Sequence, residues 1–260
     1  MATALIGGLL QQGFKSGDLR VVEPSEEARG RLQQQFGVSA VAKIDQEIPE
    51  DAVLLAVKPQ QMRAVAKALR ESLKRQLVIS IAAGIRTADL SRWLGGHERI
   101  VRVMPNTPAL IRSGVSGMYA GAAINQADRD STQNILGAVG GVVWVRDEAD
   151  IYAVTAISGS GPAYVYYFIE ALQQAAVELG LTDVQARDLA VQTFVGASKL
   201  AQGSDEPAAV LRARVTSKAG TTEAALRAME ASGVKSRIMD AVRAAARRSK
   251  ELGDEFGKDD

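Results

Sequence analysis

At 260 residues, 47% hydrophobic and 23% charged, the chain has the composition of a soluble globular protein of one large or two ordinary domains. Lysine plus arginine (31) nearly balances aspartate plus glutamate (30), so no global field draws in nucleic acid or an acidic membrane, and neither is an expected partner. The absence of cysteine excludes a disulfide framework, a thiolate nucleophile and a thiolate metal site; it suits a reducing cytoplasm, and no metal is expected.

The chain opens with MATALIGGLLQQGF, an apolar helix that ends at Gly13 and carries Gly7 and Gly8 inside its pattern as packing positions. A dinucleotide-binding unit begins with a strand, a glycine-rich turn and a helix. Here the helix and the second strand are read, while a first strand and a G-x-G-x-x-G turn are not. LRVVEP (19–24), DAVLLAVKP (51–59), QLVISIAAG (76–84), ERIVRVMPN (98–106), SGMYAG (116–121) and VVWVRD (142–147) read as strands. Several are apolar without alternation, the pattern of strands buried on both faces of a mostly parallel sheet. The stretches between them carry helical spacing, with N-caps expected at Ser25, Thr87 and Asp128. Strands alternating with helices predict right-handed βαβ units and a doubly wound sheet. The single histidine, His97 in LGGHER, reads as an exposed turn residue, and Arg243, Arg247, Arg248 and Lys250 as a solvated helix face.

After Asp147 alanine-rich segments with helical period run almost to the end, broken at SGSGPAY, at GLT (180–182), at QGSDEP (202–207) and at RVTSKAGTT. The expected fold is therefore α/β: a Rossmann-like doubly wound, mostly parallel sheet over residues 1–148, followed by an all-helical domain over 149–260. Gly159, Gly161 and Pro162 read first as a kink or a close helix contact at the start of that domain.

Two places in this plan can hold a ligand. At the end of the second strand, Glu23 favours a free ribose 2′-hydroxyl, whereas Ser25 with Arg29 or Arg31 favours a 2′-phosphate, which leaves NAD and NADP both open. The stretch VTSKAGTTEAALRAME (215–230) opens a run of small and hydroxyl residues directly into a helix. Free N–H groups at a helix N-terminus, Gly220 for close approach, and the hydroxyls of Thr216, Ser217, Thr221 and Thr222 offer a carboxylate several donors. The plainer reading is an N-cap at Thr221 or Thr222 with Glu223 in the first turn.

Taken together, the VTSKAGTTEAAL segment, the MPNTPA loop (104–109), SGSGPAYVYYFIEAL (158–172), AVKP (56–59) and SIAAG (80–84) resemble pyrroline-5-carboxylate reductases, in order and spacing and over essentially the whole chain. The resemblance implies reduction of 1-pyrroline-5-carboxylate to L-proline, the last step of proline synthesis, with NADPH or alternatively NADH. It also implies a cytoplasmic homo-oligomer, a dimer or ring of dimers, with the helical domain serving in dimerisation. By the same resemblance Ser217, Gly220 and Thr221 bind the substrate carboxylate, Thr222 hydrogen-bonds the ring nitrogen as the catalytic residue, and Glu148 makes a polar substrate contact. Ala56, Val57, Lys58, Pro59, Ala82, Ala83, Gly84 and Asn106, with Glu23 and Ser25, are the cofactor-binding residues it implies. Two departures stand out. Family members begin with a strand and a glycine-rich turn before the position of Met1, and they carry Pro-Gly-Gly where this chain has Lys218, Ala219 and Gly220. Two alternatives remain at this stage: another cyclic-imine or β-hydroxyacid reductase of the same plan, and a non-catalytic oligomeric scaffold that binds proline, suggested by the missing phosphate loop.

Overall fold

The computed structural model describes residues 1–44 and 47–258, and the chain divides into two compact units, Met1–Ser160 with Ala245–Asp260, and Gly161–Ala244. The first unit begins with α1 (Ala2–Gln11), a short 3-10 turn, β1 (Arg20–Val22), α2 (Glu26–Phe36) and β2 (Ser39–Val41). It continues through β3 (Ala52–Leu55), α3 (Pro59–Leu69), β4 (Leu77–Ser80), α4 (Thr87–Trp93) and β5 (Ile100–Met104). A 3-10 turn (Thr107–Ile111), β6 (Gly114–Ala120), α5 (Gln126–Gly137), β7 (Gly140–Trp144), α6 (Asp150–Val154) and a π-helical turn (Thr155–Gly159) complete it.

Local chemistry sets these boundaries. Ser25 caps α2, its hydroxyl oxygen accepting from the N–H of Ala28 at 3.3 Å, with Glu26 and Glu27 on the positive end and Gly37 left-handed (φ 65°) at the other. Pro59 at the first position of α3 has no N–H to leave unsatisfied, and Met62, Ala66 and Leu69 recur at helical spacing to make the buried face. Two caps differ from expectation. Asn125, not Asp128, caps α5, and Asp128 is the third-position partner of a capping box, taking the N–H of Asn125 at 3.3 Å. Thr87 lies inside α4 at its first position, behind an extended Arg86.

The larger sheet has the order β3-β4-β5-β6-β7, parallel throughout except that β5 and β6 run antiparallel. A separate two-stranded parallel sheet joins β1 to β2, a short strand that the sequence reading missed. All four residues of β4 are buried, as an unalternating apolar strand in the middle of a sheet should be. Strand parity divides the core into two layers. Val78 and Ile100 face Met62, Ala66, Leu90 and Trp93 of α3 and α4. Leu77, Ile79, Val101 and Val103 face Leu5 and Leu136 of α1 and α5. Gly8 is a packing glycine, as expected: a Cβ there would stand 2.6 Å from the carbonyl oxygen of Ala138.

The second unit is helical: α7 (Gly161–Glu178), α8 (Asp183–Gln202), α9 (Ala208–Arg214), α10 (Thr221–Ala231) and the first part of α11 (Val234–Phe256), whose last part belongs to the first unit. Gly180, left-handed at φ 95°, turns the chain between α7 and α8, and Thr182 with Gln185 closes a capping box on α8. Ala186 and Ala190 are its only buried hydrophobic residues among those described, while Tyr167 is 71% exposed and Leu179 86%. No helix among the described residues is long and apolar enough to cross a membrane.

Candidate active site

The carboxyl ends of parallel strands are where a doubly wound sheet binds ligands, because strands diverge there and helix N-termini converge. In the first unit β3 is followed by Ala56 and Val57 and then by Lys58, the extended residue before α3, its side chain exposed. The loop after β4 packs inward at Ala82 and Gly84, and Gly84 is left-handed at φ 76°. A Cβ at Gly84 would also stand 2.9 Å from the ring of Phe256, so both backbone and space require glycine.

Asn106, after β5, uses both ends of its amide within the protein. Its Nδ2 donates to the carbonyl of Ser158 at 3.2 Å, and its Oδ1 accepts from the N–H of Val115 at 2.9 Å. It thereby ties the β5 rim to the start of β6 and to the π-helical turn, a feature concentrated at functional sites. Gly159 in that turn permits a close approach: a Cβ would meet the methyl of Met104 at 2.6 Å. At the end of β1, the Glu23 carboxylate accepts from the N–H of Ser25 at 2.9 Å. Arg29 donates to the carbonyls of Glu23 and Pro24 at 2.8 and 2.7 Å, which sets a guanidinium beside Ser25, whereas Arg31 is paired outward with Glu27.

Glu148 is not a free carboxylate. Its Oε1 accepts from the N–H of Thr87 at 2.7 Å and from Arg102 at 3.1 Å, and its Oε2 from the Thr87 hydroxyl at 2.9 Å. Arg102, on β5 and only 2% exposed, also lies 5.5 Å from the ring centre of Tyr152. Sequence reasoning missed Arg102 because an arginine in a strand reads as an outward residue. The apolar Ile100, Val101, Val103 and Met104 on both sides of it were the available signal, and the structure buries residues 100–103 without a break.

In the second unit the 215–222 segment forms a turn that opens into α10. Gly220, not a threonine, holds the N-cap position, and no side chain caps the helix. Glu223 reaches back instead, accepting from the N–H of Ala219 at 2.6 Å. Ala219 adopts φ 58°, a conformation glycine takes freely and alanine does not. A Cβ at Gly220 would lie 2.7 Å from the Ser217 hydroxyl, so this glycine is a close-approach residue. Thr216 is committed, its hydroxyl donating to the carbonyl of Arg212 at 2.7 Å. Ser217, Thr221 and Thr222 are left with hydroxyls that take no protein partner among the described residues, beside the unpaired N–H groups of a helix first turn. An open groove of about 500 Å³ between α9 and α10 is a poorer anion site, because its arginines already face Glu230 (Arg212, 3.8 Å) and Glu223 (Arg227, 3.1 Å). His97 is half-buried rather than exposed, with Nε2 2.9 Å from the carbonyl oxygen of Gln76, and lies at neither place.

A mostly parallel sheet followed in the chain by a helical unit that leaves its apolar surface open is the arrangement shared by two-domain, dinucleotide-dependent oxidoreductases. Comparison with known proteins agrees and goes further. Residues 1–84 match a family model described as NADP oxidoreductase coenzyme F420-dependent, and residues 148–252 one described as pyrroline-5-carboxylate reductase dimerisation. The chain is 44% identical to a pyrroline-5-carboxylate reductase of Pseudomonas aeruginosa, covering 99% of this chain and 95% of that one. Against one from Haemophilus influenzae it is 41% identical, covering 97% and 94%. A solved pyrroline-5-carboxylate reductase from Coxiella burnetii superposes with a TM-score of 0.91 at 37% identity, covering 96% and 94% of the two chains. One from Plasmodium falciparum, determined with NADP bound, superposes at 0.84 and 30% identity over the same shares. The chain belongs to the pyrroline-5-carboxylate reductase family.

Proposed function

We propose that this chain reduces 1-pyrroline-5-carboxylate to L-proline with NADPH, as a homo-oligomer in the cytoplasm. The observation that carries the substrate assignment is the start of α10: the unengaged hydroxyls of Ser217, Thr221 and Thr222 beside free first-turn N–H groups. Such a site holds a carboxylate through partial charges and hydrogen bonds, without a full counter-charge. Ser217, Gly220 and Thr221 take the carboxylate, and Thr222 accepts a hydrogen bond from the ring nitrogen.

The residues of the first unit fit a bound dinucleotide at both of its ends. Arg29 beside Ser25 favours the 2′-phosphate of NADPH over the bare hydroxyl that Glu23 would otherwise select, since Glu23 is folded onto its own loop. Ala56, Val57, Lys58 and Pro59 with Ala82, Ala83, Gly84 and Asn106 line the nicotinamide end, Lys58 offering its ammonium to phosphate or ribose.

Bound NADPH supplies a hydride to the ring C=N carbon. The protein positions two planar groups, excludes water and stabilises the ring nitrogen as its formal charge is lost. A protonated iminium needs no additional acid, so Thr222 orients rather than protonates. The site accordingly needs neither histidine nor cysteine. The test is NADPH oxidation dependent on 1-pyrroline-5-carboxylate, with proline identified as product. Wild-type turnover, together with a Michaelis constant for the imine raised about tenfold in Thr222→Val, one lost hydrogen bond to a charged group, supports the assignment. Turnover of a β-hydroxyacid instead, or no proline, contradicts it.

A further inference from the structure

The loop between β4 and α4, residues 81–86, carries Ala82, Ala83 and Gly84 at the proposed nicotinamide end, and it is fastened from outside at three successive points. Gly84 packs on the ring of Phe256, near the end of α11. Arg86 donates to the Tyr152 hydroxyl at 2.9 Å and pairs with Asp254, also on α11. Thr87 gives Glu148 both its N–H and its hydroxyl. The Thr87 N–H is one of the first-turn donors of α4 that no carbonyl of its own helix can reach, so Glu148 acts as the cap that Arg86 cannot provide. The buried guanidinium of Arg102 neutralises Glu148, and it stands over the same Tyr152 that receives Arg86.

We infer that Glu148 is a positioning residue for the reduction: held by Arg102, it fixes the 81–86 loop through Thr87 and so sets the backbone against which the nicotinamide lies. The inference rests on the reading that this loop meets the cofactor. Three of the four acceptor sites of the Glu148 carboxylate are engaged, two of them by Thr87, so its main commitment is to the loop. Arg102 in turn cannot be left unpaired, because a buried arginine without its carboxylate is costly.

The experiment compares wild type with Glu148→Gln and Thr87→Val in two measurements. Steady-state kinetics give separate Michaelis constants for NADPH and for 1-pyrroline-5-carboxylate, and hydrogen exchange of the folded protein without ligands reports protection of the amides of residues 82–87. The expected result is a constant for NADPH raised about tenfold in both variants, the size of effect that misplacing a binding surface produces. The constant for the imine should stay within about twofold of wild type, and exchange should become faster in residues 82–87 and not in the strands of the sheet. If Glu148→Gln leaves Arg102 so exposed in energy that the chain does not fold, Thr87→Val, which keeps the ion pair, carries the comparison alone. A raised constant for the imine with an unchanged constant for NADPH would overturn the inference and return Glu148 to substrate contact. Unchanged exchange in residues 82–87 would overturn it as well. Faster exchange there with no imine turnover even in wild type would leave the clamp standing and count against the functional reading instead.

Discussion

The two compact units solve the problem of burying apolar surface in opposite ways. Met1–Ser160 with the C-terminal residues encloses two layers of aliphatic side chains around its sheet, with Met62, Val78, Ile79 and Val101 without measurable exposure. Gly161–Ala244 encloses almost nothing: Ala186 and Ala190 are its buried hydrophobic residues among those described, while tyrosines and leucines of α7 and α8 stand open. A helical unit without its own core is stable only when another surface covers it. The family model for dimerisation falls on this part of the chain. The difference teaches that one unit is specified by its own sequence pattern, and the other by that pattern together with a second copy.

The comparison can be broken most forcefully in the sheet. Ile79→Ala removes a fully buried side chain at the centre of the first core and should cost about 2–5 kcal/mol, read as a fall in the denaturant midpoint with unchanged slope. The same size of change in the second unit should act on assembly instead. Tyr167→Asp, at an exposed position of α7, should leave far-ultraviolet circular dichroism of the chain nearly intact and shift the oligomer towards monomer by about tenfold or more in dissociation constant, the effect of truncating an aromatic anchor and burying a charge at an interface. A Tyr167→Asp chain that keeps its oligomer would show that another face does the covering.

Smaller effects sharpen the picture. Ala219 holds a left-handed conformation in the loop that opens α10, so Ala219→Gly should stabilise that turn by about 1 kcal/mol. The gain should appear as slower amide exchange in residues 217–222 and a lower Michaelis constant for the imine. In the first unit the Arg99 guanidinium, with the Asn125 amide, holds Asp128 below the ordinary carboxylate value of 3.8. Because the pKa is depressed by folding, this contribution is fully present above about pH 4 and is lost as pH falls through the lower folded value. Asp128→Asn should therefore flatten the acid limb of a stability–pH curve below pH 4 while changing little at neutrality beyond the loss of the pair.

Much of this is legible in the sequence. Unalternating runs such as LVIS announced strands buried on both faces, and a turn opening into α10 at Thr221 followed from the small and hydroxyl residues before it. What stayed hidden depends on partners distant in the chain. β2 is three residues long, too short for a period to register. The antiparallel pairing of β6 is set by the path of the 107–113 connection, not by composition. Thr87 looked like a cap because its residue type fits one, yet the backbone places it a position later and its donors go to Glu148, 61 residues away. The pairing of Glu148 with Arg102, 46 residues earlier and buried in β5, is equally hidden, because a lone acid after a strand reveals nothing of a distant arginine.

The division of labour between the two units is tested most directly by sedimentation velocity of the wild-type chain over a dilution series, with turnover of 1-pyrroline-5-carboxylate measured at the same concentrations. The account predicts a species of at least twice the 27.6 kDa chain mass, with activity per chain falling in step with dissociation. A stable, fully active species at the mass of one chain would contradict it.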